Sequence, residues 1–259
     1  YYLDLARQAA LKAIEGPYSL LDNYGDLFAY QTANNNSESL FQLQWLTGST
    51  DAIGWGCNNA MQAFFAWSTM VGETNWGNAT YASYDLVREY DPQDRIRRHN
   101  TICTVGEYYS ELNSKNGGYT YNVTESGYDN KCNIKKHVIG KIDDNGQSYQ
   151  QSSGVNTYMM RLAEVYLNLA EAILGNNAST TDETALDYFN KVRIRAGMPE
   201  LKSITYENLR YERRIEFALE GLYWYDLLRR SYYQQQEVVN YLNNLSLIHI
   251  SEPTRLLSI

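Results

Sequence analysis

Apolar residues recur at helical spacing towards both ends of the chain and lose that rhythm in between. Near the start, Leu3, Ala6, Ala10, Leu11 and Ile14 fall on one stripe, which Gly16-Pro17 stops. Tyr18 to Tyr30 reads as loop with a turn at Asp22-Asn23-Tyr24-Gly25, and Asn34-Asn35-Asn36-Ser37 is a second turn signal. Ser39 to Trp45 alternates Phe41, Leu43 and Trp45 with glutamine, which predicts one short strand. Residues 46–80 space Gly48, Gly54, Gly56, Gly72 and Gly77 among Trp55, Phe64, Phe65, Trp67 and Trp76. Phe64 and Trp67, at i and i+3, are assigned to the core. Tyr81 to Tyr90 returns to helical spacing and Asp91-Pro92 ends it. From Asp94 to Gly154 the chain is polar, rich in Gly and Asn and studded with Tyr, with a tight turn at Asp144-Asn145-Gly146.

The strongest helical patterns follow. In Tyr158 to Leu174, the residues Tyr158, Leu162, Val165, Tyr166, Leu169 and Ile173 share a stripe opposite Arg161, Glu164, Asn168 and Glu171, and Gly175 stops it. Thr180 with Glu183 forms a capping-box pattern ahead of a second helix reaching Ala196. Small residues at Ala163, Ala170 and Ala185 let this helical hairpin pack closely. It is tetratricopeptide-like, although no full repeat of about 34 residues is evident. A third helix begins near Thr205 with Glu207 in its first turn and Tyr211, Ile215, Ala218 and Leu222 on its apolar face. Its other side sets Glu212, Glu216 and Glu220 at successive i, i+4 positions, where like charges repel. A packed stripe of that kind requires cations, and Arg193, Arg195, Arg229 and Arg230 are the nearest in sequence. The expectation is a structural Glu/Arg network rather than a catalytic pair. The predicted fold class is mainly α, with helical hairpins framing an irregular, loop-rich region that holds a short strand.

Composition narrows the function. The 259 residues are 44% hydrophobic, enough for one or two packed cores. With 22 Lys+Arg against 30 Asp+Glu the net charge is −8, which argues against nucleic acid and disfavours an acidic partner. No stretch approaches the roughly 20 apolar residues that cross a bilayer. The 24 Tyr exceed what core packing requires and suit recognition of amphipathic ligands, whether sugars or protein surfaces. Cys57, Cys103 and Cys132 show no CxxC spacing and are read as buried free thiols, so neither a metal nor a cofactor is expected. There is no GxSxG, HExxH or phosphate-binding glycine loop.

Four ordered segments carry a resemblance: Arg161 to Ala172 (RLAEVYLNLAEA), Phe189 to Pro199 (FNKVRIRAGMP), Glu212 to Gly221 (ERRIEFALEG) and Asp226 to Arg229. Together they resemble the C-terminal signature of SusD/RagB-type outer-membrane proteins of Bacteroidetes. Upstream, Tyr18 to Leu21, Asn36-Ser-Glu38, Asp85 to Asp91, and Gly127-Tyr128 followed by Lys135-Lys136 resemble that family too, so the likeness covers almost all of residues 1–244. The resemblance implies a SusD-like fold and a cell-surface glycan-binding lipoprotein. Such a protein sits as a lid on a SusC-like TonB-dependent transporter and delivers oligosaccharides to it without chemistry of its own. It also implies that membrane association runs only through a lipid anchor carried by an N-terminal half outside this chain.

Sugars present apolar C–H faces ringed by hydroxyls, so a binder offers flat aromatics beside hydrogen-bonding side chains. Trp55, Trp76 and Tyr81 with Asn58 and Asn75 are the candidate ligand residues, in glycine-bearing backbone that can turn a ring outward. The division expected is a helical frame at residues 1–35 and 158–244 around a ligand-facing region at 36–157. Leu245 to Arg255 resembles an in-frame translation of a sequencing-library adapter, so 245–259 is expected to be a read-through tail. Two rival readings remain. An all-α glycoside hydrolase would use carboxylates such as Asp51, Glu73 or Asp91, and a helical-repeat scaffold would bind protein alone.

Overall fold

The computed structural model describes residues 1–46, 59–72, 80–122, 132–140, 148–149 and 152–245. Ten α-helices lie among them. The first five are α1 (Tyr2–Ile14), α2 (Met61–Phe65), α3 (Ser68–Val71), α4 (Tyr84–Glu89) and α5 (Arg95–Thr101). The others are α6 (Leu162–Leu174), α7 (Glu183–Arg195), α8 (Tyr206–Glu216), α9 (Tyr223–Ser231) and α10 (Gln235–Asn243). Among the described residues the strands β1 (Ser39–Leu43), β2 (Tyr81–Ala82), β3 (Tyr108–Tyr109), β4 (Tyr119–Thr120), β5 (Cys132–Asn133), β6 (Ser148–Tyr149), β7 (Ser152–Ser153), β8 (Thr157–Arg161), β9 (Ser179–Thr180) and β10 (Ile204–Thr205) pair only in twos and antiparallel, so the fold is mainly α. None of the described helices is long and apolar enough to cross a membrane.

Packing of α6 organises the main core. Leu162, Ala163, Leu167, Leu169 and Ala170 are fully buried and meet Ala10 of α1, Ala185, Phe189 and Val192 of α7, and Leu209 of α8. Alanines on both α6 and α7 let the helix backbones approach, as the small-residue pattern predicted. The start of α6 differs from the sequence reading. Residues Thr157–Arg161 form a strand, β8, hydrogen-bonded antiparallel to β1 (Ser39–Leu43), and the helix begins only at Leu162. Tyr158 and Arg161 sit in extended backbone because the β1 ladder and the Leu162 N–H to Glu38 carbonyl bond (2.9 Å) outcompete one more helical turn.

The β1 strand is turned opposite to its pattern. Gln42 is buried, while Phe41 (60% exposed) and Leu43 (42%) face outward. Amide bonding explains the inversion: Gln42 Nε2 donates to Ala33 O (2.8 Å), and its Oε1 accepts from Asn35 N (2.8 Å) and Asn156 Nδ2 (3.2 Å). Every polar atom of the buried amide is satisfied, so the glutamine is tolerated in the interior.

Other expectations shift by a turn or two. The cap of α7 is Asp182, whose carboxylate accepts from Ala185 N (3.0 Å), while Thr180 lies in β9 (Ser179–Thr180), pairing with β10 (Ile204–Thr205). Thr205 does cap α8, in a reciprocal box with Asn208. The helical reading of Tyr81–Tyr90 splits into β2 (Tyr81–Ala82) and α4, which Ser83 caps by accepting from Leu86 N (3.2 Å). Phe64 is 52% exposed, so its core role passes to Met70 and Phe65. The tyrosine excess is partly structural: Tyr24, Tyr109 and Tyr121 are fully buried, and the Tyr24 hydroxyl donates to Glu216 O (2.8 Å). Cys103 is a buried free thiol and Cys132 a partly buried one, whereas Cys57, the Asp144–Gly146 turn and the tail from 246 lie outside the described residues.

Candidate functional site

A buried ionic network ties the frame together at the end of α8. Glu212 and Glu216 are fully buried, and α8 stops at Glu216, so Glu220 does not continue the helical row. It returns instead through a turn in which Leu219 adopts φ +66°, a left-handed conformation costing roughly 1–2 kcal/mol for a residue with a Cβ. Lys136 secures that turn, donating to Glu220 Oε1 (2.7 Å) and Ala218 O (2.7 Å), and His137 Nε2 meets Leu219 O at 3.0 Å.

Arg161 bridges Glu216 Oε1 (2.6 Å), Glu38 Oε1 (2.9 Å) and both oxygens of Glu220 (2.9 Å each). Arg193 reaches Glu212 Oε2 (2.7 Å), and Arg195 bonds Glu38 (2.5 Å) and Glu216. Arg97 contacts Glu212 Oε1 (2.5 Å) and Glu216 Oε2 (3.3 Å) and is itself held by Asp94. Arg193 and Arg195 were expected here. Arg229 and Arg230 are not part of it: Arg229 pairs with Glu171 and Asp226, and Arg230 with Glu207 and Glu237. The missed partners Arg97, Arg161 and Lys136 lie 115, 55 and 84 residues from the carboxylates they meet, so no local pattern announces them. With each carboxylate paired, the cluster is structural.

Burial would raise the Glu216 carboxyl, but Arg195, Arg161 and Arg97 outweigh it and hold it at about 2. Burial lowers His137, wedged between the rings of Phe28 and Phe65, to about 4. Together with other carboxylates held low by their cations, Glu111 and Glu220 among them, the two groups set an acid limit. Between pH 6.5 and 4 the unfolded chain takes up a His137 proton that the folded one refuses, so stability falls as pH drops through that window. Below 4.5 the Glu216 contribution is lost in turn as pH approaches 2. Thermal melts from pH 7 downward are expected to decline across both windows, and His137→Gln should flatten the first alone. A melting temperature constant from pH 7 to 4 would contradict this assignment.

Beside this frame lie the anchors of the aromatic segments. Trp45 N donates to Asn156 Oδ1 (3.0 Å) and its indole Nε1 to Thr157 Oγ1 (3.0 Å). Asn59 exchanges backbone bonds with Ser153 (3.0 and 3.1 Å), and its Nδ2 donates to Val155 O (2.9 Å). Trp45 and Asn59, on either side of residues 47–58, are therefore both bonded to one stretch, Ser153–Thr157. A second segment leaves Gly72, which has φ +71°, and rejoins at Tyr81, paired with Asn133 of β5 (Cys132–Asn133). Tyr81 is partly buried in β2, while Trp55, Asn58, Asn75 and Trp76 lie outside the described residues. Asp51 and Glu73 also lie outside them, and Asp91 serves a turn, its Oδ1 accepting from Gln93 N (2.8 Å). Asn34 and Asn156 were not singled out, yet they brace the anchors: Asn34 Nδ2 bonds Gly154 O and Asn156 N bonds Asn34 Oδ1, both at 2.7 Å. The Asn-rich turn at 34–36 was the available signal.

A family model described as SusD family matches residues 20–255. A SusD-like protein of Bacteroides ovatus is 41% identical over 247 residues, covering 93% of this chain and 43% of that protein. The starch-binding protein SusD of Bacteroides thetaiotaomicron is 24% identical, over 86% of this chain and 46% of that one. The chain thus spans less than half the length of these curated relatives. A crystal structure with xylogluco-oligosaccharide superposes with a TM-score of 0.84 at 39% identity, covering 94% of this chain and 48% of the other. Surface glycan-binding protein A from Bacteroides thetaiotaomicron in complex with laminarihexaose gives a TM-score of 0.64 at 21% identity over 88% and 50%, a likeness of fold alone.

Proposed function

We infer, from the premise that this chain belongs to the SusD family, that it forms part of a surface protein that captures neutral oligosaccharides. The protein hands them to a SusC-like TonB-dependent transporter at the outer membrane. The observation that carries the ligand class is the 39%-identical structure with xylogluco-oligosaccharide, which matches nearly the whole chain. In this reading Trp55, Trp76 and Tyr81 supply stacking faces, and Asn58 and Asn75 supply hydrogen bonds to hydroxyls.

The role is capture and transfer, with no bond broken. Incubation with xylogluco-oligosaccharide should return the sugar intact by chromatography, and turnover that disappears with a single carboxylate substitution would overturn the reading. Calorimetry tests the site. Trp55→Ala or Trp76→Ala is expected to weaken binding by roughly 1–3 kcal/mol with little change in melting temperature. Early melting with unchanged affinity would make both residues core and move the site elsewhere.

A further inference from the structure

A cleft of about 380 Å³ opens between the Gly25–Gln31 turn, Asn100 of α5, Ser110 to Ser114 and the segment Lys135–Gly140. It shares no residue with the five site candidates. Two glycines fix its walls. A Cβ on Gly25 would lie 2.7 Å from Asn100 Oδ1, and one on Gly140 would lie 1.8 Å from the Glu111 carbonyl oxygen. Residue 140 can therefore lie against the 111–112 backbone only without a side chain, whereas a side chain at 25 would push the Asn100 amide aside.

One side of the cleft is apolar, with Phe28, Val138 and Ile139, and the other carries fixed polar groups. Lys135, 7% exposed, donates to Glu111 Oε1 (2.6 Å) and Asn100 Oδ1 (3.3 Å). An ammonium has three protons, so one remains without an acceptor among the described residues. Glu111 is held by Lys135, by His99 Nε2 (3.3 Å) and by the Ser110 hydroxyl (3.3 Å), which sets the plane of its carboxylate. Burial would raise that carboxyl, but the His99 hydrogen bond and Lys135 hold it well below the usual range and keep it an acceptor. The charged groups of the lining balance, Asp26 and Glu111 against Lys135 and Lys136, so the cleft has no net charge to draw in an ionic ligand. Hydroxyl donors beside a C–H face are the complement of this lining.

We propose that this cleft is a second carbohydrate site, which holds the end of a neutral oligosaccharide through Glu111, Lys135 and Asp26 with its C–H groups against the exposed edges of Phe28 and Ile139. The ligand class rests on the function proposed above, while the place does not. The test is an NMR titration of the ¹⁵N-labelled full chain with xylogluco-oligosaccharide, in the unsubstituted protein, in Trp55→Ala/Trp76→Ala, and in Ser110→Trp or Gln31→Trp. Each of the last two sets an indole at an exposed rim position, and retained spectral dispersion verifies the fold.

Saturable shifts of the Asn100 and Lys135 amides should persist in the double variant and weaken at least tenfold in the rim variants. Shifts at the Trp55 and Trp76 indoles with none in the cleft would overturn this site and leave the proposed function standing. Cleft shifts unchanged by both rim variants would also overturn it. Cleft shifts that respond to the rim variants, with none at the indoles, would uphold this site and remove the Trp55/Trp76 assignment. No saturable shift anywhere would overturn both.

Discussion

Arg161→Ala is expected to cost about 3–5 kcal/mol, a large share of the stability of an ordinary chain. Arg161 is 1% exposed and bridges Glu38, Glu216 and Glu220, with its guanidinium 4.5 Å from the Phe217 ring centroid. Removing it leaves three carboxylates in the interior with too few cations, and burying an unpaired charge costs more than its pairing gained. Urea denaturation of the variant measures the loss. Arg161→Met combined with Glu220→Gln should recover part of it, because fewer charges then stay uncompensated. A single-variant melting temperature within about 2 °C of the parent would mean that water enters the network and screens it.

Gly140→Ala is the second large effect, expected to cost roughly 3 kcal/mol and to lower the melting temperature by about 6–12 °C. A methyl here meets the Glu111 carbonyl oxygen and the Leu112 Cα, at 1.8 and 2.6 Å, so backbone rather than a pliable side chain must move. Leu112 is buried in the cluster of Tyr109, Tyr121 and Met70, which would be displaced with it. Gly106→Ala is the control: φ is +82° there and nothing lies within 4 Å, so only backbone strain of about 1–2 kcal/mol applies. Equal losses in the two variants would show that the 140 contact yields easily.

The parts of the fold that were legible in sequence are those whose partners follow a short period. The α6 stripe from Leu162, the small residues at Ala163, Ala170 and Ala185, and the Thr205 cap are all local patterns, and all are present. The start of α6 was misplaced because Tyr158 and Arg161 satisfy a helical stripe as well as they satisfy β8, and only the distant β1 decides. Gln42 misled for a related reason. Its amide is buried by Asn35, Ala33 and Asn156, residues whose proximity no alternation of polar and apolar positions encodes. In the ionic network the need for cations was readable from Glu212 and Glu216, yet Arg97 and Lys136 come from another part of the chain. The candidate aromatics were legible by residue type alone, and of the five residues nominated the structure describes Tyr81.

The paired anchors at Trp45 and Asn59 have a consequence for retargeting. Trp45 and Asn59 are bonded to Ser153–Thr157 by their own side chains and backbone, so these junction contacts need no atom of residues 47–58. Doubling the length of such a connection adds only about 0.6 kcal/mol of closure entropy. Stretches of different length and composition can therefore be grafted between these two residues while the helical body stays as it is. On the proposed assignment of Trp55 and Asn58 to the ligand, sugar preference becomes an exchangeable cassette, open to selection from a library without a fresh search for a stable fold.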